Sequence, residues 1–167
     1  ANVGSHPSVV ANTADITGAT LEVRPFTANG LYVNSLTEPD VIDADDLIGT
    51  FGTVQLSGPT PLLAVSASYD DADNVDLTVT RLAFNSVGGL TVNQMAVATG
   101  IENVYAPDLS GAFAGVLADL FTLGEADYVG ALDQLTGADY ASFMQGLRNN
   151  SMQVNSLISD QIDCAIS

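Results

Sequence analysis

The chain has 167 residues, 47% of them hydrophobic, enough for a packed core and too apolar for a disordered tail. Twenty acids stand against three bases, all arginine (Arg24, Arg81, Arg148), for a formal charge of −17. Such a surface repels phosphate along its length and holds no polybasic patch, which excludes nucleic acid and anionic lipid headgroups as partners.

The opening "ANVGSHPSVV" has neither the basic start nor the apolar run of a signal peptide. An exported protein with this sequence is therefore expected to be represented by an internal or C-terminal fragment. The first half then reads as strand. "ATLEVRPF" (19–26) alternates Leu21 and Val23 with Glu22 and Arg24, and "GLYVNSL" follows a turn at Gly30. "DADD" (43–46) reads as an acidic turn before the strand "GTFGTVQL" (49–56). "PLLAVSASY" (61–69) and "NVDLTVTRLAF" (74–84) flank "DDADN" and read as a hairpin, since Asp and Asn tolerate turn geometry. In the second of these strands Val75, Leu77, Val79 and Arg81 share one face. "DDADN" and "DADD" offer oxygen ligands at the close spacing calcium uses. Neither has the twelve-residue loop with a central Gly and a closing Glu, and solvated turns are the ordinary reading.

The second half reads as helix. Thr91 with Gln94 makes a capping box, and the helix it opens stops near Pro107. Asp108 is expected to cap a second helix carrying Leu109, Phe113, Val116, Leu117 and Leu120, which Gly124 ends. A third holds Tyr128, Leu132 and Leu135 on one face and stops at Thr136-Gly137. The fourth is expected over Ala138–Asp163, with Tyr140, Phe143, Met144, Leu147, Val154, Leu157, Ile158 and Ile162 at three-four spacing. At ~1.5 Å per residue it would reach about 40 Å. The expected class is α+β: a short β-helix and hairpin stack over 1–86, then a helical segment over 87–167 of about four helices, the last long and amphipathic.

No stretch shows catalytic chemistry. His6, the single histidine, has no positioned serine or carboxylate around it, and no G-x-S-x-G elbow or phosphate-cradling glycine motif occurs. Cys164 stands alone, without the partners of a disulfide or a metal site. No residue is assigned a catalytic, cofactor or metal role, and the chain is not read as an enzyme.

The run "GTFGTVQLSGPTPLLAVSASYDDADNVDLTVTRLAF" (49–84) resembles the end of the β-helical passenger in the classical autotransporters, the type V secretion family of Gram-negative bacteria. There a "tGtF" strand leads to an "L..sl.Yd..nVyLtltr" hairpin. "LTVNQMAVATGIENV" is similar to the family's "t.NQ..vA..L" helix start, and "YVGALDQLTGADYASFM" to its "aaLdqLsGeiya" segment. The three occur in family order, covering about residues 45–163; the first forty fit loosely, as late β-helix rungs. The resemblance implies a passenger end with an autochaperone role and a helical linker that threads a twelve-strand outer-membrane barrel. It implies the cell surface as location, and as partners the upstream passenger, the protein's own barrel and the outer-membrane assembly machinery. Some members cut themselves between two Asn of the last helix, and "LRNNSMQ" places Asn149-Asn150 there. Without barrel acids to polarise the groups, a solvated polar face is the simpler account. The alternatives are a surface adhesin ending in a helical bundle, or the tail of an enzymatic passenger. Open strand edges and an unpartnered last helix further lead to an expectation that the isolated chain self-associates.

Overall fold

The computed structural model describes residues 8–69, 73–137, 145 and 148–153. They form a mixed α+β fold of six strands, a 3-10 turn and three α-helices. Strand β1 (Val9–Asp15), a bend, and β2 (Thr20–Val23) make a first layer. The latter part of β3 (Ser35–Ile48), a second bend, and β4 (Thr53–Leu56) make another. β1 runs parallel to β3 with Val9 opposite Ile42, and β2 parallel to β4 with Thr20 opposite Thr53. Both ladders therefore carry the same offset of 33 residues.

The bends are stitched as well. Ile16 N–H donates to the Ile48 carbonyl at 2.9 Å, Gly18 N–H to Thr50 at 3.0 Å, and Gly52 N–H to Ala19 at 2.9 Å. Like residues stack in register: Ala11 on Ala44, Leu21 on Val54, Val23 on Leu56. Ala44 and Val23 are buried, while Leu21, Val54 and Leu56 pack against the core. Small and branched apolar residues suit a half-buried pleated surface, so each layer covers the apolar face of the other.

The four-stranded sheet has the order β1-β3-β6-β5. β6 (Asn74–Arg81) pairs antiparallel with β3, and β5 (Leu63–Ser68) pairs antiparallel with β6 as the expected hairpin. The β3–β6 register shifts between Glu38 and Ile42, where Asp40 sits at φ 53°, a bulge that re-aims the strand. Two sequence expectations fail here. "DADD" is strand, not turn: Asp43, Asp45 and Asp46 are exposed, while Ala44 is buried and Ile42 and Leu47 half-buried. Pairing with β1 along the stretch, joined by β6 at Asp43, overrides the poor strand propensity of Asp. The turn at Gly30 forms, but "GLYVNSL" becomes strand only from Ser35. The backbone at 31–32 bonds to side chains instead, Leu31 N–H to Asn29 Oδ1 and Tyr32 N–H to Tyr105 Oη.

After β6 a 3-10 turn (Phe84–Ser86) leads to α1 (Val92–Val104). The capping box forms as expected: Gln94 N–H donates to Thr91 Oγ1 and Thr91 N–H to Gln94 Oε1. α2 (Ala112–Leu120) is capped by Gly111 at φ 84°, not by Asp108, because the chain must first turn through a conformation only Gly adopts easily. It buries Ala114, Leu117 and Leu120 and leaves Phe113 and Val116 exposed. Gly124 does not end α2 but opens α3 (Glu125–Leu135), whose first turn carries Glu125 and Asp127 against the helix dipole. Tyr128 and Leu132 are fully buried, whereas Leu135 is exposed.

The expected helix over Ala138–Asp163 lies largely outside the described residues; 145 and 148–153 are helical and exposed. The longest helix described is α1, at 13 residues, and no described helix is long and apolar enough to cross a membrane. Strand gives way to helix between Arg81 and Val92, yet one core spans the change. Val23, Leu62 and Val79 from the strand half pack in a single cluster with Phe84, Ile101, Leu117 and Tyr128.

Gly49 tests the layering. It has φ 75°, and a Cβ there would run into the Thr17 side chain and backbone of the layer beside it. Gly18 has a similar φ of 68° but open space around it. Gly18→Ala should cost about 1–2 kcal/mol for the left-handed backbone alone. Gly49→Ala should cost about 1–3 kcal/mol more for the forced overlap. Urea unfolding of the two variants measures the difference; equal losses would mean that the layers do not meet at Thr17.

Candidate functional site at the strand–helix junction

Arg81 ends β6, and α1 brings Glu102 opposite it. The pair is bidentate: Arg81 Nη2 to Glu102 Oε1 at 2.7 Å and Nη1 to Oε2 at 2.9 Å. Planar fork-on-fork geometry is what a guanidinium offers and an ammonium does not. Arg81 also donates from Nε and Nη2 to Asn34 Oδ1, at 3.3 and 3.1 Å. Its guanidinium lies 4.5 Å from the centroid of the Tyr105 ring. Glu102 Oε2 accepts a further bond from the Phe84 backbone N–H at 3.0 Å. The side chains are 8% and 24% exposed, so this pair is shielded as surface pairs are not.

Below the ion pair lies an aromatic cluster. Phe84 packs on Tyr105 and Phe121 with centroids 5.4 Å apart in each case, and Tyr32 meets Phe121 edge-on at 5.1 Å. Its polar ends are satisfied. Tyr105 Oη accepts from Tyr32 N–H at 2.8 Å and donates to the Tyr32 carbonyl at 2.6 Å. Tyr128, fully buried, donates to the Phe84 carbonyl at 2.7 Å. Gln94, buried at the start of α1, donates to Asp133 of α3 at 2.7 Å. Burial pushes the Tyr32, Tyr105 and Tyr128 hydroxyls above their ordinary range, so all three stay neutral donors. Glu102 is held below the ordinary carboxyl value, chiefly by the Arg81 hydrogen bonds, with burial opposing and the Phe84 N–H assisting.

The arrangement fastens three helices to the end of a sheet. It pairs no nucleophile with a base and aims no unpartnered donor at a cleft. His6 and Cys164 lie outside the described residues. Asn149 and Asn150 are helical and exposed. Of "DDADN", Asp73 and Asn74 are described: Asp73 ends the turn and Asn74 begins β6, donating to Asp40 Oδ1 at 2.8 Å. Asp76 accepts from Asp40 N–H at 3.0 Å, so these groups brace the bulge. Among the described residues no group of three or more His, Cys, Asp or Glu is placed to hold a metal ion.

Sequence reasoning placed Arg81 only on a strand face and did not single out its partner. The sequence carries a second signal. "TGATLEV" (17–23) and "TFGTVQL" (50–56) match at the 33-residue offset the ladders use. No family model matches the chain, and neither a curated protein nor a solved structure does.

Acid should loosen the junction. Glu102 has a folded value below its ordinary value of 4.5. Its contribution is thus present above pH ~4.5 and is lost as pH falls through the folded value. Glu102→Gln should lower stability at pH 7 by about 1–3 kcal/mol, the usual worth of a charged hydrogen bond left half-made. The same variant should lose less than the native chain between about pH 5 and 3. Denaturant midpoints across that range decide; parallel acid limbs would remove Glu102 from the account.

Proposed function

We propose that this chain is the C-terminal end of an autotransporter passenger, joined to the helical linker that leads to an outer-membrane barrel. In this reading the two layers are the last two coils of a parallel β-helix, and the β5–β6 hairpin and the helices are its cap. The observation that carries it is one-sided closure of a stack with a constant step. β3 has β1 on one side and β6 on the other, β5 lies against β4, and the helices share the core beyond. Among the described residues the outer edges of β1 and β2 carry no strand. A repeat stack needs a terminal unit that shields its last apolar face, and growth continues from the open side only.

Such a cap gives a passenger emerging at the cell surface its first stable surface. Each further coil buries its inner face against a neighbour already formed, so the cap lowers the cost of the next. The partners in this reading are the upstream passenger, the protein's own barrel and, by the family resemblance, the outer-membrane assembly machinery. The chain itself catalyses no covalent chemistry. Its acidity keeps the unfolded polypeptide soluble and repelled from anionic surfaces on its way out.

The test uses the full gene in a Gram-negative host. Arg81→Ala removes the guanidinium and leaves Glu102 unpaired, which should cost roughly 3 kcal/mol of cap stability. Passenger exposed on intact cells, read by protease shaving, should fall at least about tenfold, since ~1.4 kcal/mol already shifts an equilibrium that far, while barrel insertion is kept. Undiminished display, or a downstream sequence without alternating membrane strands, would sink the reading.

A further inference from the structure

Of the chain's asparagines, Asn29 alone precedes a glycine. An Asn side chain can be attacked by the backbone nitrogen that follows it. Gly leaves that nitrogen the least hindered, because it has no Cβ and turns freely. The Gly30 nitrogen bonds to Asn29 Cγ, the Cγ–Nδ2 bond breaks, and the Gly30 amide proton leaves with Nδ2 as ammonia. Water then opens the cyclic imide at one carbonyl or the other. The products are Asp and isoaspartate, in which the main chain runs through Cβ and Cγ.

The fold ties down the atoms of that reaction. Gly30 N–H, the nucleophile, donates to the Thr27 carbonyl at 3.2 Å. Asn29 Nδ2, the leaving group, donates at 2.8 Å to the carbonyl of Pro107, 78 residues on. Asn29 Oδ1 accepts from Leu31 N–H at 3.2 Å, which fixes the amide from its other side. Ring closure takes the Gly30 proton and removes Nδ2, so it must sever the bonds to Thr27 and Pro107. The backbone has little slack for the rearrangement: Gly30 sits at φ 71°, and an added Cβ there would lie 2.7 Å from the Ala118 Cβ of α2.

We propose that Asn29-Gly30 is a deamidation site that folding closes, and that a chain modified before it folds remakes this turn less stably. Asp at position 29 sets a carboxylate oxygen against the Pro107 carbonyl, an acceptor where a donor stood. Isoaspartate lengthens the main chain just where Gly30 is wedged beside α2. The turn thus records the time a chain has spent unfolded and keeps the record as a loosened link between the strand half and the helices. The inference rests on the bonds of the turn and is independent of the passenger reading.

The test incubates the 167-residue chain in mildly alkaline buffer with and without guanidinium chloride. Mass spectrometry follows the peptide holding Asn29, with isoaspartate read separately. Modification should be at least about tenfold slower without denaturant, since attack on an opened state follows the population of that state. In guanidinium Asn29 should react ahead of Asn34 and Asn85, each followed by Ser. There Gly30→Ala should slow the reaction at least about tenfold, whatever it does to the fold, because the Cβ hinders the nitrogen. Refolded after incubation in guanidinium, the native chain should show a lower urea midpoint than before, and the Asn29→Ala chain the midpoint it began with. Equal rates with and without denaturant, no preference for Asn29 over Asn34 and Asn85, or a midpoint that incubation leaves unmoved or lowers equally in Asn29→Ala would each overturn the proposal.

Discussion

Parallel pairing at one constant offset is the constraint from which the remaining architecture follows. Because β1–β3 and β2–β4 share a 33-residue step, the bends between them must also lie one against the other. That contact puts Thr17 against Gly49 and Gly18 against Gly52, and it leaves no room for a side chain at either glycine of the second layer. The same step sets the long connection between β2 and β3. Its Leu31 and Tyr32 reach the helices, and Gly30 passes so near α2 that an added Cβ would lie 2.7 Å from the Ala118 Cβ. The helical half is thus seated by a loop whose length the strand half dictates.

The junction answers a solvation problem. The last strand of the sheet ends in a charge, and the helices that cover it would bury that charge unpaired. Glu102 meets it two-on-two, Asn34 takes remaining donors, and the Tyr105 ring closes over the guanidinium. Pairs of this kind add little net stability over an apolar substitute, but losing one partner is expensive. They therefore fix orientation: Arg81 accepts α1 in one position, and the Tyr32–Tyr105 bonds fix the rotation about it.

Local signals were legible in the sequence and distant ones were not. The capping box at Thr91–Gln94 and the β5–β6 hairpin depend on residues a few positions apart, and both stand as expected. "DADD" misleads because turn propensity is local, whereas its strand pairing comes from β1, 33 residues earlier, with β6 joining at Asp43. Gly111 in place of Asp108 at the head of α2 reflects a backbone at φ 84°, which Gly adopts easily and Asp does not. Glu102 could not be matched to Arg81 from spacing, since they lie on different elements 21 residues apart. The repeat at 17–23 and 50–56 was visible all along, but seven residues with mixed identities do not announce themselves until a ladder aligns them.

The two kinds of pairing in the sheet differ in what the unfolded chain gives up to make them. The β5–β6 ladder closes between Ser68 and Asp76, residues eight apart in the chain. Each contact between the layers joins residues 33 apart. On the logarithmic law for flexible loops the longer closure costs about 1.3 kcal/mol more in chain entropy. The hairpin is also antiparallel, the more favourable of the two ladders residue for residue. A chain collapsing from the coil therefore meets its cheapest strand pairing near the middle of its length, and the layers have that contact to assemble upon.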